Sequence, residues 1–189
     1  MVKMDMRDLW KIGEAGVNKA SEALKKFTGN EVDVKNLSTR LIKVETISKF
    51  FDPDEVVTCI YMPIYGNRQG CSLVIFDMES AQRLIEIMMK KIGTTTITAE
   101  LYESSLKEIA NIMAGSFLTA MANMSEIKLV EGTPTYSKAM IGALIEHIIS
   151  DFTQKQNDEA MSIEVGFFIK NVEITGHLYV IFEKAMIEV

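Results

Sequence analysis

The sequence contains few of the residue types that form disulfides, stiffen the backbone or bind metal ions in small proteins. Its 189 residues include three prolines, two cysteines, two histidines and one tryptophan. Two cysteines cannot build a disulfide framework, and two cysteines with two distant histidines do not make a structural zinc site. We therefore expect free thiols at Cys59 and Cys71, and no metal or cofactor bound by the chain.

Excess basic charge and long apolar runs are also missing. The chain carries 20 Lys and Arg against 26 Asp and Glu, a formal charge of −6. Non-specific binding to nucleic acid or to an anionic membrane normally needs a basic surface. No run approaches the roughly 18 apolar residues of a membrane helix, and Met1 to Trp10 has no apolar core of a secretory signal. The sequence predicts a cytoplasmic protein without nucleic-acid or membrane partners.

What the sequence does contain is an apolar stripe of helical period, and it occurs twice. The same offsets recur 97 residues later, and both sets lie within about 60° of one line on a helix. The paired stripes are Leu9, Ile12, Gly13, Gly16, Ala20, Ala23, Leu24 and Phe27, then Leu106, Ile109, Ala110, Met113, Phe117, Ala120, Met121 and Met124. Gly29 is the expected end of the first helix, and Thr98 the expected start of the second.

A pair of strand patterns repeats as well. Gly70 to Phe76 matches Gly176 to Phe182 at an offset of 106, and β-rich runs precede them at 55–65 and 163–170. Short Gly- or Asn-containing links between such runs indicate antiparallel hairpins. Further patterns predict a strand at 36–44, helices at 77–92 and 140–152, and a loop at 153–160. The fold class is therefore α/β (α+β), an internally duplicated, pseudo-two-fold antiparallel sheet flanked by long helices. We expect one domain over 1–189, with halves of about 1–92 and 93–189.

Polar residues of the second long helix cluster on the side away from its apolar stripe. With Leu106 at zero and 100° per residue, Ser104, Glu108, Asn111 and Gly115 all lie between about 140° and 200°. Glu108 and Asn111 are three residues apart and therefore neighbours on the helix surface. Polar residues on an outer helix face are usually only solvated, so this spacing by itself does not define a site.

The spacing Ser104-x3-Glu108-x2-Asn111-x22-Pro134 resembles the motif of the CheC/CheX/FliY family of phosphatases, which act on the response regulator CheY. The surrounding helix and the duplicated plan resemble the family over nearly the whole chain, and the length resembles CheC most. CheX, which has one site on a shorter dimeric chain, is the alternative within the family.

The first half departs from the motif. At the 97-residue offset the four motif positions hold Arg7, Lys11, Glu14 and Leu37. The resemblance therefore implies one intact site, in the second half, and one structural copy.

The resemblance implies hydrolysis of the aspartyl phosphate of a CheY-type regulator. Asn111 would orient the attacking water, and Glu108 would dock the regulator by pairing with its lysine. Ser104, Gly115 and Pro134 would complete the partner-binding surface, with Pro134 shaping the supporting turn. The Mg²⁺ required for phosphoryl transfer is expected in the regulator.

Two non-catalytic alternatives stay open. The same fold serves as the middle domain of the flagellar switch protein FliM, which hydrolyses nothing. An adaptor for the receptor deamidase CheD is the other alternative, and its contact in the family is a helix that here corresponds to about 141–152.

Overall fold

The computed structural model describes residues 6–29, 31–93, 96–153, 159–169 and 172–182. Within these ranges the chain forms four α-helices, one 3-10 helix and seven strands. In chain order they are α1 (Met6–Thr28), β1 (Val32–Lys43), the 3-10 helix (Val44–Phe50), β2 (Val56–Gly66), β3 (Gly70–Asp77), α2 (Met78–Ile92), α3 (Ala99–Ser125), β4 (Leu129–Glu131), β5 (Thr135–Met140), α4 (Ile141–Thr153), β6 (Glu159–Ile169) and β7 (Val172–Phe182).

All seven strands belong to one antiparallel sheet in the order β1-β6-β7-β3-β2. The outer edge of β2 carries two short partners, β5 along residues 56–61 and β4 along residues 64–66. Hairpins β2-β3 and β6-β7 therefore lie side by side. Each is flanked by a strand from the other half of the chain: β1 lies beside β6, and β5 lies beside β2.

The register of the two central strands follows the repeat in the sequence. Leu73 of β3 lies opposite Tyr179 of β7, and these residues are 106 apart, the spacing that also separates Gly70 from Gly176. A local two-fold axis therefore passes through this residue pair. The sheet order is symmetric about the same axis, as the duplicated fold class predicted.

The sheet has a different apolar core on each face. On one face, α1, α2 and α3 cover a large cluster that includes Leu9, Ile60, Phe76, Phe117 and Leu178. On the other face, α4 and the 3-10 helix cover a smaller cluster around Ile47, Leu73, Ile145 and Tyr179. Even-numbered residues of β2 such as Ile60 and Met62 face α3, and odd-numbered ones such as Cys59 face α4.

The helix ends have local causes. Thr98 caps α3 because its side-chain oxygen accepts a hydrogen bond from Leu101 N at 3.2 Å. Asp77 caps α2 in the same way, and its carboxylate accepts from Ser80 N at 2.7 Å. Gly29 has φ of 57°, and its N–H donates to Lys25 O at 2.7 Å, which ends α1 in the left-handed conformation that glycine favours. The predictions for Gly29 and Thr98 are confirmed.

The predicted helices and hairpins are confirmed within one to four residues at their described ends. Two details are wrong. Phe27, predicted to lie in the buried stripe, is 43% exposed and falls in the last turn of α1. The strand predicted at 36–44 begins earlier, at Val32.

Some sequence predictions fall partly outside the described residues. Met1 to Asp5 of the first helix, most of the loop at 153–160 and Lys170 are among them. Cys59 and Cys71 form no disulfide, as predicted, and both are buried; Cys59 lies opposite Ile75 in the ladder. No helix in the described part of the chain has the length and apolarity needed to span a bilayer.

Candidate functional site

Three of the residues predicted for the site lie together on the outer face of α3. Ser104, Glu108 and Asn111 are all exposed, and Gly115, one turn further along, is half-buried. On the opposite side of the helix the predicted stripe is buried in the large core. Its members with no more than 4% exposure are Leu106, Ile109, Ala110, Met113, Phe117, Ala120 and Met121. The core therefore fixes the rotation of α3, and that rotation presents Glu108 and Asn111 to solvent as neighbours.

Neighbouring side chains on α3 are engaged locally, whereas Glu108 and Asn111 are not. The Ser104 hydroxyl donates to Leu101 O at 3.1 Å, and Lys107 pairs with Glu103 at 2.5 Å. Within the described part of the chain, no side chain bonds Glu108 or Asn111. A carboxylate and a carboxamide are thus available together, and a carboxamide can donate and accept at once.

Gly115 makes room for a carboxylate that the sequence did not bring to notice. A Cβ at this position would lie 2.8 Å from Oε2 of Glu131. The group that approaches Gly115 is a side chain from β4. Glu131 is the functional candidate that sequence reasoning missed. The unexplained glycine in the middle of a helix was the only local signal for it.

The Glu131 carboxyl lies in an apolar setting. Its Oε1 atom is buried and has no hydrogen-bond partner in the described part of the chain. Its backbone lies opposite Ile64 in the β2-β4 ladder, on the side of the sheet that faces α3. Burial raises the pKa of Glu131 from 4.5 to about 7, since the charged form loses more hydration than the neutral form.

Pro134 lies in the connection between β4 and β5, directly before β5, and is half-buried. Two contacts hold this connection beside α3. Glu131 packs on Gly115 at one end, and at the other end Tyr136 meets Tyr102 edge-on with ring centroids 6.5 Å apart. The 22 residues between Asn111 and Pro134 thus complete α3, turn, and return along it as β4. The structure places Ser104, Glu108, Asn111 and Gly115 on one helix face, and it places Pro134 in the connection that follows β4.

The corresponding face of α1 carries other chemistry. Arg7, Lys11 and Glu14 are exposed there, and Lys11 pairs with Asp8 at 3.4 Å. Leu37, the counterpart of Pro134, is 43% exposed in the middle of β1 and does not follow a turn. Among the described residues no group of three or more His, Cys, Asp or Glu side chains is arranged to hold a metal ion.

Comparison with known sequences points to the same segment. A model described as the CheC-like family matches residues 102–137, which span all five predicted site residues and Glu131. CheY-P phosphatase CheC of Bacillus subtilis is 23% identical over 190 residues, covering 95% of this chain and 89% of that protein. Putative CheY-P phosphatase CheC1 of Halobacterium salinarum is 25% identical over 180 residues, covering 93% and 90%.

The fold is shared with several solved structures. FliY of Thermotoga maritima superposes with a TM-score of 0.70 at 16% identity, covering 95% of this chain and 91% of FliY. The FliM middle domain of Vibrio alginolyticus gives 0.66 at 10% identity, with coverage of 91% and 92%. CheX in a complex with CheY, BeF3 and Mg²⁺ from Borrelia burgdorferi gives 0.51 at 16% identity, with coverage of 90% and 97%. One segment of the chain therefore matches the CheC-like family model, and its fold is that of FliY, the FliM middle domain and CheX.

Proposed function

We propose that the chain is a phosphatase that hydrolyses the aspartyl phosphate of a CheY-type response regulator. One observation supports this more than any other. Glu108 and Asn111 lie unpaired, exposed and one turn apart on a helix whose other side is fully buried. Two relatives with which the chain aligns almost end to end are named CheY-P phosphatases, which gives this arrangement its reaction.

The residues would divide the work as follows. The regulator supplies the acyl phosphate, which already has a good leaving group, together with the Mg²⁺ and the lysine that neutralise phosphoryl charge. This chain positions the attacking water and the regulator. Asn111 enters the regulator's site and holds a water in line with phosphorus, because its amide can both donate to and accept from that water. Glu108 pairs with the regulator's lysine and sets the docking angle.

The remaining predicted residues would support docking. Ser104 lies one turn before Glu108 and contributes a contact at the rim of the interface. Gly115, one turn beyond Asn111, has no side chain and so leaves space on the helix surface for the Glu131 carboxyl. Pro134 shapes the connection that runs beside the helix.

Asn111→Ala tests the assignment. We expect this variant to bind the phosphorylated regulator and to lose the acceleration of its dephosphorylation, by about 100-fold or more. Glu108→Lys should instead weaken binding of the phosphorylated regulator, because it places a cation opposite the regulator's lysine. The measurements are the decay of the phosphorylated regulator and its affinity, with unchanged circular dichroism as the control for folding. Full activity of Asn111→Ala would exclude the mechanism.

A second candidate function is a non-catalytic one. The FliM middle domain matches with a higher TM-score, 0.66, than CheX in its CheY complex, 0.51. A FliM-like or CheD-binding adaptor would use the same fold for binding alone, in the CheD case through α4. This candidate is supported if wild-type protein binds a partner but leaves the lifetime of the regulator phosphate unchanged.

Two further parts of the proposal concern context. We place the protein in the cytoplasm with its regulator, with no nucleic-acid or membrane partner and no cofactor of its own. We also treat residues 1–189 as one domain with halves near 1–92 and 93–189, of which the second bears the working site.

A further inference from the structure

Glu131 occupies the face that the proposed function assigns to the regulator. Its Oε2 atom lies 2.8 Å from the position of a Gly115 Cβ, and Gly115 follows Asn111 by one helical turn. The carboxyl is therefore on the outer side of α3, beside the docking residues. One of its oxygens is already buried without a partner, while the side chain as a whole is only half-buried.

Within the described part of the chain, no cationic group lies close enough to Glu131 to lower its pKa. On this side of the sheet β2 presents Met62 and Ile64, which are apolar. The charged group on the outer face of α3 is Glu108, two turns away and of the same sign, and Lys128 in the turn before β4 is exposed. No ion pair joins Glu131 to another described residue, and burial accounts for its raised pKa.

We propose that docking of the regulator on this face is coupled to uptake of a proton at the Glu131 carboxyl. The inference rests on the proposed function, since it requires a partner that covers Glu108 and Asn111. Such a partner also removes the remaining exposed part of Glu131 from water. Desolvation disfavours the ionised form, so the neutral acid is favoured in the complex and binding strengthens as pH falls. Glu131 acts here as a positioning residue that makes the interface sensitive to pH near neutrality.

The test is the affinity for a CheY-type regulator loaded with beryllofluoride and Mg²⁺, measured between pH 6.5 and 8.5. For wild-type protein we expect binding about fivefold weaker at pH 8.5 than at pH 6.5, if docking raises the carboxyl pKa by about one further unit. Glu131→Gln, which is neutral and of the same shape, should bind tightly with no such change across the range. Glu22→Gln removes an exposed carboxylate on α1 and should retain the wild-type profile.

A second measurement needs no variant. Calorimetric titration of wild-type protein at pH 7.5, in buffers of different ionisation enthalpy, should show uptake of about half a proton per complex. Binding without proton exchange, binding that strengthens with rising pH, or an identical pH profile for Glu131→Gln would overturn the inference and leave the phosphatase assignment standing. Failure of wild-type protein to bind the loaded regulator at any pH would overturn the proposed function and this inference with it.

Discussion

At the scale of single residues, the candidate site combines two exposed polar groups with one carboxyl that is held partly out of water. Glu108 and Asn111 are ready to meet a partner, because no described residue bonds them. Glu131 differs from them, because its packing on Gly115 costs it hydration. The chemistry of the face therefore depends on a residue that the motif spacing does not include.

The buried carboxyl predicts a pH-dependent stability that can be measured without any partner. Because burial raises the pKa of Glu131 to about 7, the folded state holds this proton more tightly than the unfolded chain does. The stabilisation is fully present below pH 4.5 and is lost as pH rises towards and through 7. Allowing for partial exposure, the difference amounts to roughly 2 kcal/mol.

Urea unfolding of Glu131→Gln and wild-type protein at pH 4.5 and pH 8 measures this effect. The free-energy difference between the two proteins should shift in favour of the variant by that amount as pH rises, since glutamine cannot ionise. Glu22→Gln, exposed on α1, serves as the control and should show a constant difference. A constant difference for Glu131→Gln as well would mean that its carboxyl is hydrated in the folded state.

At the scale of elements, the position of the site depends on how α3 packs against α1. The two helices approach closely at Gly16, where a Cβ would lie 2.3 Å from Cδ1 of the Phe117 ring. Phe117 is fully buried, and at about 100° per residue it lies on the side of α3 opposite Glu108. The contact between Gly16 and Phe117 therefore fixes the rotation of α3, and with it the exposure of the polar face.

Gly16→Ala should destabilise the protein by about 2–3 kcal/mol, because neither the buried ring nor the helix backbone can move freely away from an added methyl group. The gain in helix propensity, about 1 kcal/mol, does not offset this. Chemical denaturation measures the loss. Gly115→Ala is the matched control in α3, since its neighbour is the free end of a flexible carboxyl, and its stability should stay within about 1 kcal/mol of wild type. Equal stabilities for the two variants would contradict the packing argument.

At the scale of the whole molecule, two halves of similar arrangement carry different chemistry on their outer helix faces. The sheet is symmetric about the pair Leu73 and Tyr179, yet the outer face of α1 carries Lys11 and Glu14 where α3 carries Glu108 and Asn111. The second half also builds β4 and the connection to Pro134 beside its helix, whereas the matching part of the first half runs straight into β1.

This asymmetry predicts that one face works and the other does not. Alanine at both Lys11 and Glu14 should leave the rate of regulator dephosphorylation within about twofold of wild type, because these groups are exposed and the Lys11–Asp8 pair contributes little. The Asn111→Ala variant, assayed beside it, should be inactive. A large loss of activity in the α1 variant would place a second contact surface on the first half.

Local features of this protein could be predicted from its amino-acid sequence. Helical periodicity predicted α1 and α3 with their buried stripes. Thr98 begins α3 and Gly29 ends α1 where expected, and the alternating runs predicted both hairpins. The exposed position of Glu108 and Asn111 followed for the same reason, since rotation about a helix depends on residues only a few positions away. A local pattern of this kind can be read without knowing which elements become neighbours.

The remaining features depend on contacts between distant parts of the chain. The short strands β4 and β5 pair with the outer edge of β2, and β4, with three residues, is too short to show a period of its own. The packing of Glu131 on Gly115 joins residues 16 apart in the sequence, so its raised pKa depends on where β4 lies against α3. Burial and its electrostatic consequences come from long-range neighbours, and pairing of the strands determines which neighbours those are.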